Sequence, residues 1–390
     1  MNILIVTQFV VPHGGGLSSH IEDLISCLND DGHKVELLEG RSTDVSRCYK
    51  LACLLLSGCR KDPYMFNRLE NLLTKLPNHA EKLIENNSFD LIHCHDPCAG
   101  YAVHTVLSRT GQQIPVIETI HGPLAYEAKM VLGWEIKQSK YLQQLLHIEK
   151  QAYRWANQLI AVDTGQANIA INDFGINKDK VTVIFNSVSC KTIDFIVKEP
   201  PSIKATKPYL LVPRRLVEKT GVRVAIEALT RLDADIKVNL VIAGDGPLKG
   251  ELQQLTKNLG YSSRVMFLGA IARQEVLRLA NSALAVVIPS VPSSGVVEAT
   301  SIAAIEAMAC GTPVIASNIG GLMEIIQHNR TGFLVPHSDP QRIADVVSTL
   351  LIDQTLVAAI RRQARQYVLQ NLDIQPWFTK IKRIYDSVLN

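Results

Sequence analysis

Glu298 and Glu306 stand eight residues apart at the two ends of EATSIAAIE, a run with no other charge. Paired carboxylates suit one of two chemistries. In a two-acid hydrolase they flank a scissile bond, one giving a proton and the other attacking or activating water. In a binding site each accepts hydrogen bonds from ligand hydroxyls instead. Eight residues is slightly over two helical turns, which on one helix would put both side chains near one face. The start of GVVEATSIAAIEAMACGTP nonetheless reads as a loop feeding a helix, with Glu298 on the loop and Glu306 in the helix. Basic partners lie upstream, where VPRRLVEKTGV at 212–222 places Arg214, Arg215 and Lys219 on a strand-to-helix turn. An Arg fork and a Lys point charge suit a diphosphate leaving group whose charge grows as its bond to a sugar breaks. The plain alternative is a solvated basic loop.

Two glycine loops and a set of histidines add to these. PHGGGLSSH at 12–20 follows the first strand and opens a helix. Glycines there let the backbone close on a ligand, and free N–H groups at the helix start favour an anion such as phosphate; a simple turn is the competing reading. AGDGPLKG at 243–250 reads as a structural turn through Gly244 and Gly246. Neither loop has the G-x-G-x-x-G spacing of a dinucleotide site, which disfavours a nicotinamide oxidoreductase. His93, His95 and Asp96 end one strand and could bind a metal, but no third ligand has convincing spacing. His121 ends the next strand before Gly122-Pro123, a turn that would hold its ring at the strand's C-terminal end.

These residues need a scaffold. At 390 residues the chain exceeds one ordinary core, so two domains of roughly 200 residues are expected. Short β-branched runs alternate with helical stretches, the pattern of parallel β-α units. Six start at 2, 34, 90, 115, 158 and 180; after the Pro- and Lys-rich KEPPSIKATKP, six more start at 209, 237, 264, 284, 312 and 332. The expected organisation is a Rossmann-like domain over 1–197, a second over 198–372, and a helix over 373–390 returning to the first. The apolar stripe of that helix is Trp377, Ile381, Ile384, Tyr385 and Val388. A net charge of +3 implies no nucleic-acid partner. MNILIVTQFVVP lacks a basic n-region and reads as a buried strand rather than a signal peptide. The eight cysteines form no C-x-x-C pair, and a reducing, cytoplasmic setting fits them.

Taken together, these segments resemble the retaining glycosyltransferases of family four, over nearly the whole chain. The resemblance is carried by the Gly15-Gly16 loop, TIHGP with His121, RRLVEKTG, FLGAIARQEVLRLANSALAVVIPS, the E-x7-E pair Glu298 and Glu306, EAMACGTPVIAS and IGGLMEIIQHNRTGFLVPHSDP. It implies the α/β GT-B fold, two doubly wound Rossmann-like domains facing a central cleft. It also implies transfer of a hexosyl group, without a metal or other cofactor, from a nucleoside-diphosphate sugar, UDP-linked or GDP-linked, to an acceptor hydroxyl. Gly16 would approach the donor phosphate, with Gly15 beside it, and His121 would contact the transferred sugar. Arg215 and Lys219 would bind the diphosphate, Glu298 the donor-sugar hydroxyls and Glu306 the ribose. Backbone N–H groups at Ser301 and Ile302 would meet phosphate or sugar, and Asn186 and Gly244 complete the donor-binding candidates.

The pattern departs from the family in three places, the first being Pro213 ahead of the arginine pair where the family has glycine before its Arg-Leu. Thr220 stands where the family has lysine, leaving Lys219 displaced by one residue, so either Lys219 reaches the diphosphate from there or Arg214 pairs with it in a shifted register. Asn186-Ser187-Val188-Ser189 replaces Asn-Gly-Val-Asp. The acceptor, a lipid-linked sugar, glycan or small molecule, would be chosen by the first domain. Its segment 47–69 has an apolar run with basic flanks that suits either an interfacial helix on a membrane or a buried helix. A noncatalytic nucleotide-sugar-binding protein is the remaining alternative; the retained His121, glutamates and basic pair oppose it.

Overall fold

Strands made of nearly continuous Val, Ile and Leu are buried on both faces, which only a sheet covered by helices on each side provides. The computed structural model of the chain contains two such sheets and describes residues 1–12, 16–40, 61–133, 135–205, 208–293 and 296–389. The chain divides into two units, Met1–Phe185 with Phe378–Asn390, and Asn186–Trp377.

In the first unit the strands are β1 (Asn2–Val6), β2 (Lys34–Leu38), β3 (Leu91–Cys94), β4 (Val116–Ile120), β5 (Gln158–Ala161) and β6 (Val181–Val183). All pair in parallel, in the order β2-β1-β3-β4-β5-β6. Strand order reverses between β1 and β3, and the residues just past their carboxyl ends are therefore placed to meet a ligand. The final helix, Ile374–Leu389, buries Trp377, Ile381 and Tyr385 from the expected stripe. Its Tyr385 hydroxyl is 2.7 Å from Nδ1 of His93, and Lys382 reaches Asp31 at 2.6 Å.

The second unit holds β7 (Tyr209–Pro213), β8 (Asn239–Ala243), β9 (Val265–Gly269), β10 (Ala285–Ile288), β11 (Val314–Ser317) and β12 (Phe333–Val335). Their order is β12-β11-β10-β7-β8-β9, again all parallel, with the reversal between β10 and β7. One continuous apolar cluster, including Leu210, Ile226, Val287, Ile343 and Ile360, fills one face.

The division between units falls at 185/186, twelve residues before the expected 197/198. Hydrogen bonds explain the shift. Val188 N–H donates to Leu372 O at 3.1 Å, Ile374 N–H donates to Val188 O at 3.1 Å, and Cys190 N–H donates to the Asp373 carboxylate at 2.9 Å. The Pro- and Lys-rich segment is likewise tied into the second unit, through Ile203 N–H to Glu275 at 2.7 Å and Glu199 to Arg278 at 2.7 Å. Polar composition marked a surface segment there, and the unit boundary lies upstream of it. At the other end, the chain rejoins the first unit at Phe378, inside the final helix, rather than at 373.

β4 carries an acid within its buried run. Glu118 is fully buried, and neither carboxyl oxygen has a hydrogen-bond partner. Burial first, and then the Asp96 and Glu149 carboxylates, push its pKa well above the ordinary 4.5. An acid whose folded-state pKa is raised contributes stability that is complete below its unfolded pKa and lost as pH rises through the folded one. The melting temperature of wild type should therefore drop relative to Glu118→Gln as pH climbs above about 4.5, with a widening gap. Parallel melting curves across pH would contradict the neutral state of this group.

Candidate active site

In the second unit, the sheet's reversal point brings the ends of β7 and β10 side by side. Arg214 directly follows β7, and Ser290 lies just beyond β10. The Arg214 guanidinium donates from Nη2 to Glu298 Oε2 at 2.6 Å and from Nη1 to Ser301 Oγ at 3.2 Å. Ser290 Oγ donates to the same Glu298 oxygen at 3.2 Å. The two charged side chains are only 10% and 11% exposed, so the pair sits in low-dielectric surroundings. Burial pushes Glu298 up, but Arg214, then Lys219 and Ser290, outweigh it and hold the carboxyl below its ordinary range. Glu298 is ionised at neutral pH.

Local backbone geometry fixes this cluster. Glu298 lies in a loop, and the helix Ile302–Ala309 begins just after Ser301, as the sequence suggested. Asn186 braces that loop by donating from Nδ2 to the backbone oxygen and Oγ1 of Thr300, at 3.1 and 3.0 Å. Gly321 N–H donates to Glu298 O at 3.0 Å, and any Cβ at Gly320 would run into the same carbonyl. Gly244 has an equivalent role on the other side: a Cβ there would collide with the Arg214 carbonyl, so only glycine lets the end of β8 pass that close.

Glu306 sits on the helix one turn beyond, 7% exposed, and accepts a 2.5 Å hydrogen bond from Arg273 Nε. Burial raises its pKa and Arg273 opposes the rise. Arg215 is exposed, and its carbonyl accepts the Thr220 hydroxyl at 2.7 Å. Thr220 is buried, with its hydroxyl also 2.7 Å from Val217 O, so the position where the family has lysine closes the turn instead. Lys219 acts on Glu298 through its charge. Arg214 and Lys219 thus serve one carboxylate, and the exposed Arg215 is not bonded to it.

In the first unit, His121 directly follows β4 and Gly16 opens the helix Gly16–Asp30; Gly15 lies outside the described residues. His20, on that helix, meets His121 edge to face with ring centroids 4.7 Å apart. His93 is engaged at both ring nitrogens, by the Tyr385 hydroxyl and by Thr119 Oγ1 at 2.8 Å. Asp96 caps the helix Pro97–Thr110 through Ala99 N–H at 3.0 Å and accepts from Thr7 and Gln8 at 2.8 and 2.7 Å. The candidate trio of His93, His95 and Asp96 is therefore not a ligand set, because two of its members are consumed by local hydrogen bonds.

Sequence reasoning missed Ser290, Arg273 and His20. The first two do occupy the kind of position it valued, the segment leading from a strand end into a helix. His20 stands inside a helix, where nothing in the spacing separates a site residue from a core residue.

The family description "Glycosyltransferase Family 4" matches residues 14–192, and "Glycosyl transferases group 1" matches residues 195–367. Among curated proteins, the chain is 28% identical over 391 residues to a glycogen synthase of Mycobacterium tuberculosis, covering 95% of this chain and 91% of that one. It is 27% identical over 319 residues to the N-acetyl-alpha-D-glucosaminyl L-malate synthase of Bacillus anthracis, covering 80% and 79%. Among solved structures, it superposes on sucrose-phosphate synthase from Thermosynechococcus elongatus with a TM-score of 0.76 at 19% identity, covering 99% and 98%. Anabaena HepE, solved in complex with UDP and glucose, gives 0.71 at 20% identity, covering 99% and 100%.

Proposed function

This chain belongs to glycosyltransferase family four, with the GT-B fold, and on that premise we propose that it moves a hexosyl group from a nucleoside-diphosphate sugar to an acceptor hydroxyl with retained anomeric configuration. The observation that carries this reading is Arg214 joined to both Glu298 and Ser301 at the switch point of the second sheet. Arg214 and Lys219 take the diphosphate charge as the anomeric C–O bond breaks, helped by the N–H groups at Ser301 and Ile302. No metal is needed in this reading. Glu298 accepts from donor-sugar hydroxyls, Gly16 approaches the phosphate, and His121 acts at the transferred sugar. The acceptor oxygen bonds to the anomeric carbon from the face the diphosphate leaves, and its proton passes to the leaving phosphate. Glu298 is not the nucleophile, because Arg214 and Ser290 already hold its carboxylate.

UDP is the favoured nucleotide, on the strength of neighbours crystallised with it; GDP is the second choice. The acceptor is a glycan, a lipid-linked sugar or a small hydroxyl compound. Membrane contact through 47–69 is part of the proposal, although residues 47–60 of that segment lie outside the described residues. Among the described residues no single helix is long and apolar enough to cross a membrane. A cytoplasmic setting is part of the same proposal, and the buried thiols at 94, 98 and 190 fit it. Calorimetric titration with UDP, GDP and NAD tests the ligand class. Saturable binding of a nucleoside diphosphate without NAD binding is expected, and the reverse pattern would replace this reading with an oxidoreductase.

Within the nucleotide site, Glu306 grips the ribose hydroxyls, and Arg273 orients its carboxylate and opposes the rise in its pKa. Glu306→Ala should weaken nucleoside-diphosphate binding by about 10- to 100-fold, the range of a charged hydrogen bond. Arg273→Gln should weaken it less, and more so toward acid pH, because burial of Glu306 then goes unopposed. Unchanged dissociation constants in both variants would remove the ribose assignment.

A further inference from the structure

Three imidazoles of the first unit converge on one point. His20, His95 and His121 each offer a ring nitrogen within 4.8 Å of the others, and His95 Nδ1 is 3.3 Å from His121 Nε2. The helix Gly16–Asp30 supplies the first, the end of β3 the second and the end of β4 the third. His20 and His95 are 4% and 1% exposed, whereas His121 is half-buried and gives the cluster its access. Neighbouring His93 is fully used by Tyr385 and Thr119, whereas His95 turns its Nδ1 toward His121 and keeps its Nε2 buried without a hydrogen-bond partner.

We propose that these three histidines form a binding site for a divalent transition-metal ion of the zinc type. Nitrogen ligands and a compact cluster select this class over magnesium or calcium, which prefer oxygen. With Zn–N bonds of about 2.0–2.1 Å, adjacent nitrogens of a tetrahedral centre lie about 3.3 Å apart, matching the His95–His121 separation. Three protein ligands leave a fourth position for water or another small ligand. A metal held here occupies His121, so, on the donor-sugar role given above to that residue, the ion inhibits transfer rather than assisting it.

The test uses the full chain stripped of metal, without nucleotide, titrated with Zn2+ against a chelating indicator. One ion per chain is expected, with affinity falling at least about tenfold in His20→Gln and in His95→Gln and unchanged in His104→Gln, whose ring stacks on Trp155 away from this cluster. Titration of the wild type with Co2+ should give the intense visible absorption of a tetrahedral nitrogen site, which serves if a variant fails to fold. Absence of stoichiometric Zn2+ binding, a Co2+ spectrum of the hydrated ion, or equal affinity in wild type and His20→Gln would each overturn the site. Zinc binding without inhibition of transfer would instead overturn the role given to His121.

Discussion

Arg214→Ala should lower kcat/KM for the nucleotide-sugar donor by about 10²- to 10³-fold, the loss typical of removing a preorganised charge at a leaving group. Arg215→Ala should cost no more than about tenfold, because Arg215 is exposed and outside the bonds around Glu298. The contrast is useful because the sequence admits both registers: Arg215 precedes the leucine as in the family, while Arg214 stands five before Lys219. Arg214→Ala also strands a largely buried carboxylate, which can destabilise the unit. Arg214→Lys separates the effects, since it keeps the charge but loses the fork that joins Glu298 to Ser301. It should melt near wild type and still lose most of its turnover. A larger loss in Arg215→Ala than in Arg214→Ala would return the diphosphate role to the family register.

Glu298→Gln should reduce kcat by about 10²-fold while changing nucleoside-diphosphate affinity by no more than about twofold, the signature of a contact made with the sugar and strengthened in the transition state. Glu306→Ala should show the opposite division. The pH dependence has a definite sign. The folded-state pKa of Glu298 is depressed, so the stability of its pairing with Arg214 is present above the ordinary 4.5 and is lost only as pH falls through the lower folded value. Glu298 therefore does not set an acid limb near pH 5 or above. Equal losses in kcat and in nucleotide affinity for both variants would erase the distinction between the two carboxylates.

Much of this architecture was legible in the sequence, for a physical reason. Parallel strands buried on both faces must be nearly continuous apolar runs, and all twelve such runs are strands in the structure. The loop-then-helix reading of Glu298 and Glu306 also matches, since a Ser-Ile step ahead of an alanine-rich run marks the helix start. Partnership was not legible. Nothing in RRLVEKTG says that the first arginine turns to Glu298 while Thr220 closes the turn, because that choice is made by residues 84 positions apart in the chain. The same holds for His95, whose neighbours His20 and His121 come from inside a helix and from the end of another strand, and for Arg273 on Glu306. The segment 186–197 groups with the second unit instead of the first because its ties include hydrogen bonds to residues near 372, which composition does not reveal.

The most direct measurement is release of nucleoside diphosphate from a panel of UDP- and GDP-sugars, with wild type, Arg214→Lys and Glu298→Gln compared at equal folded concentration. The account predicts turnover of at least one donor by wild type and its collapse in both variants. No turnover of any donor by wild type, with tight binding of NAD, would contradict it.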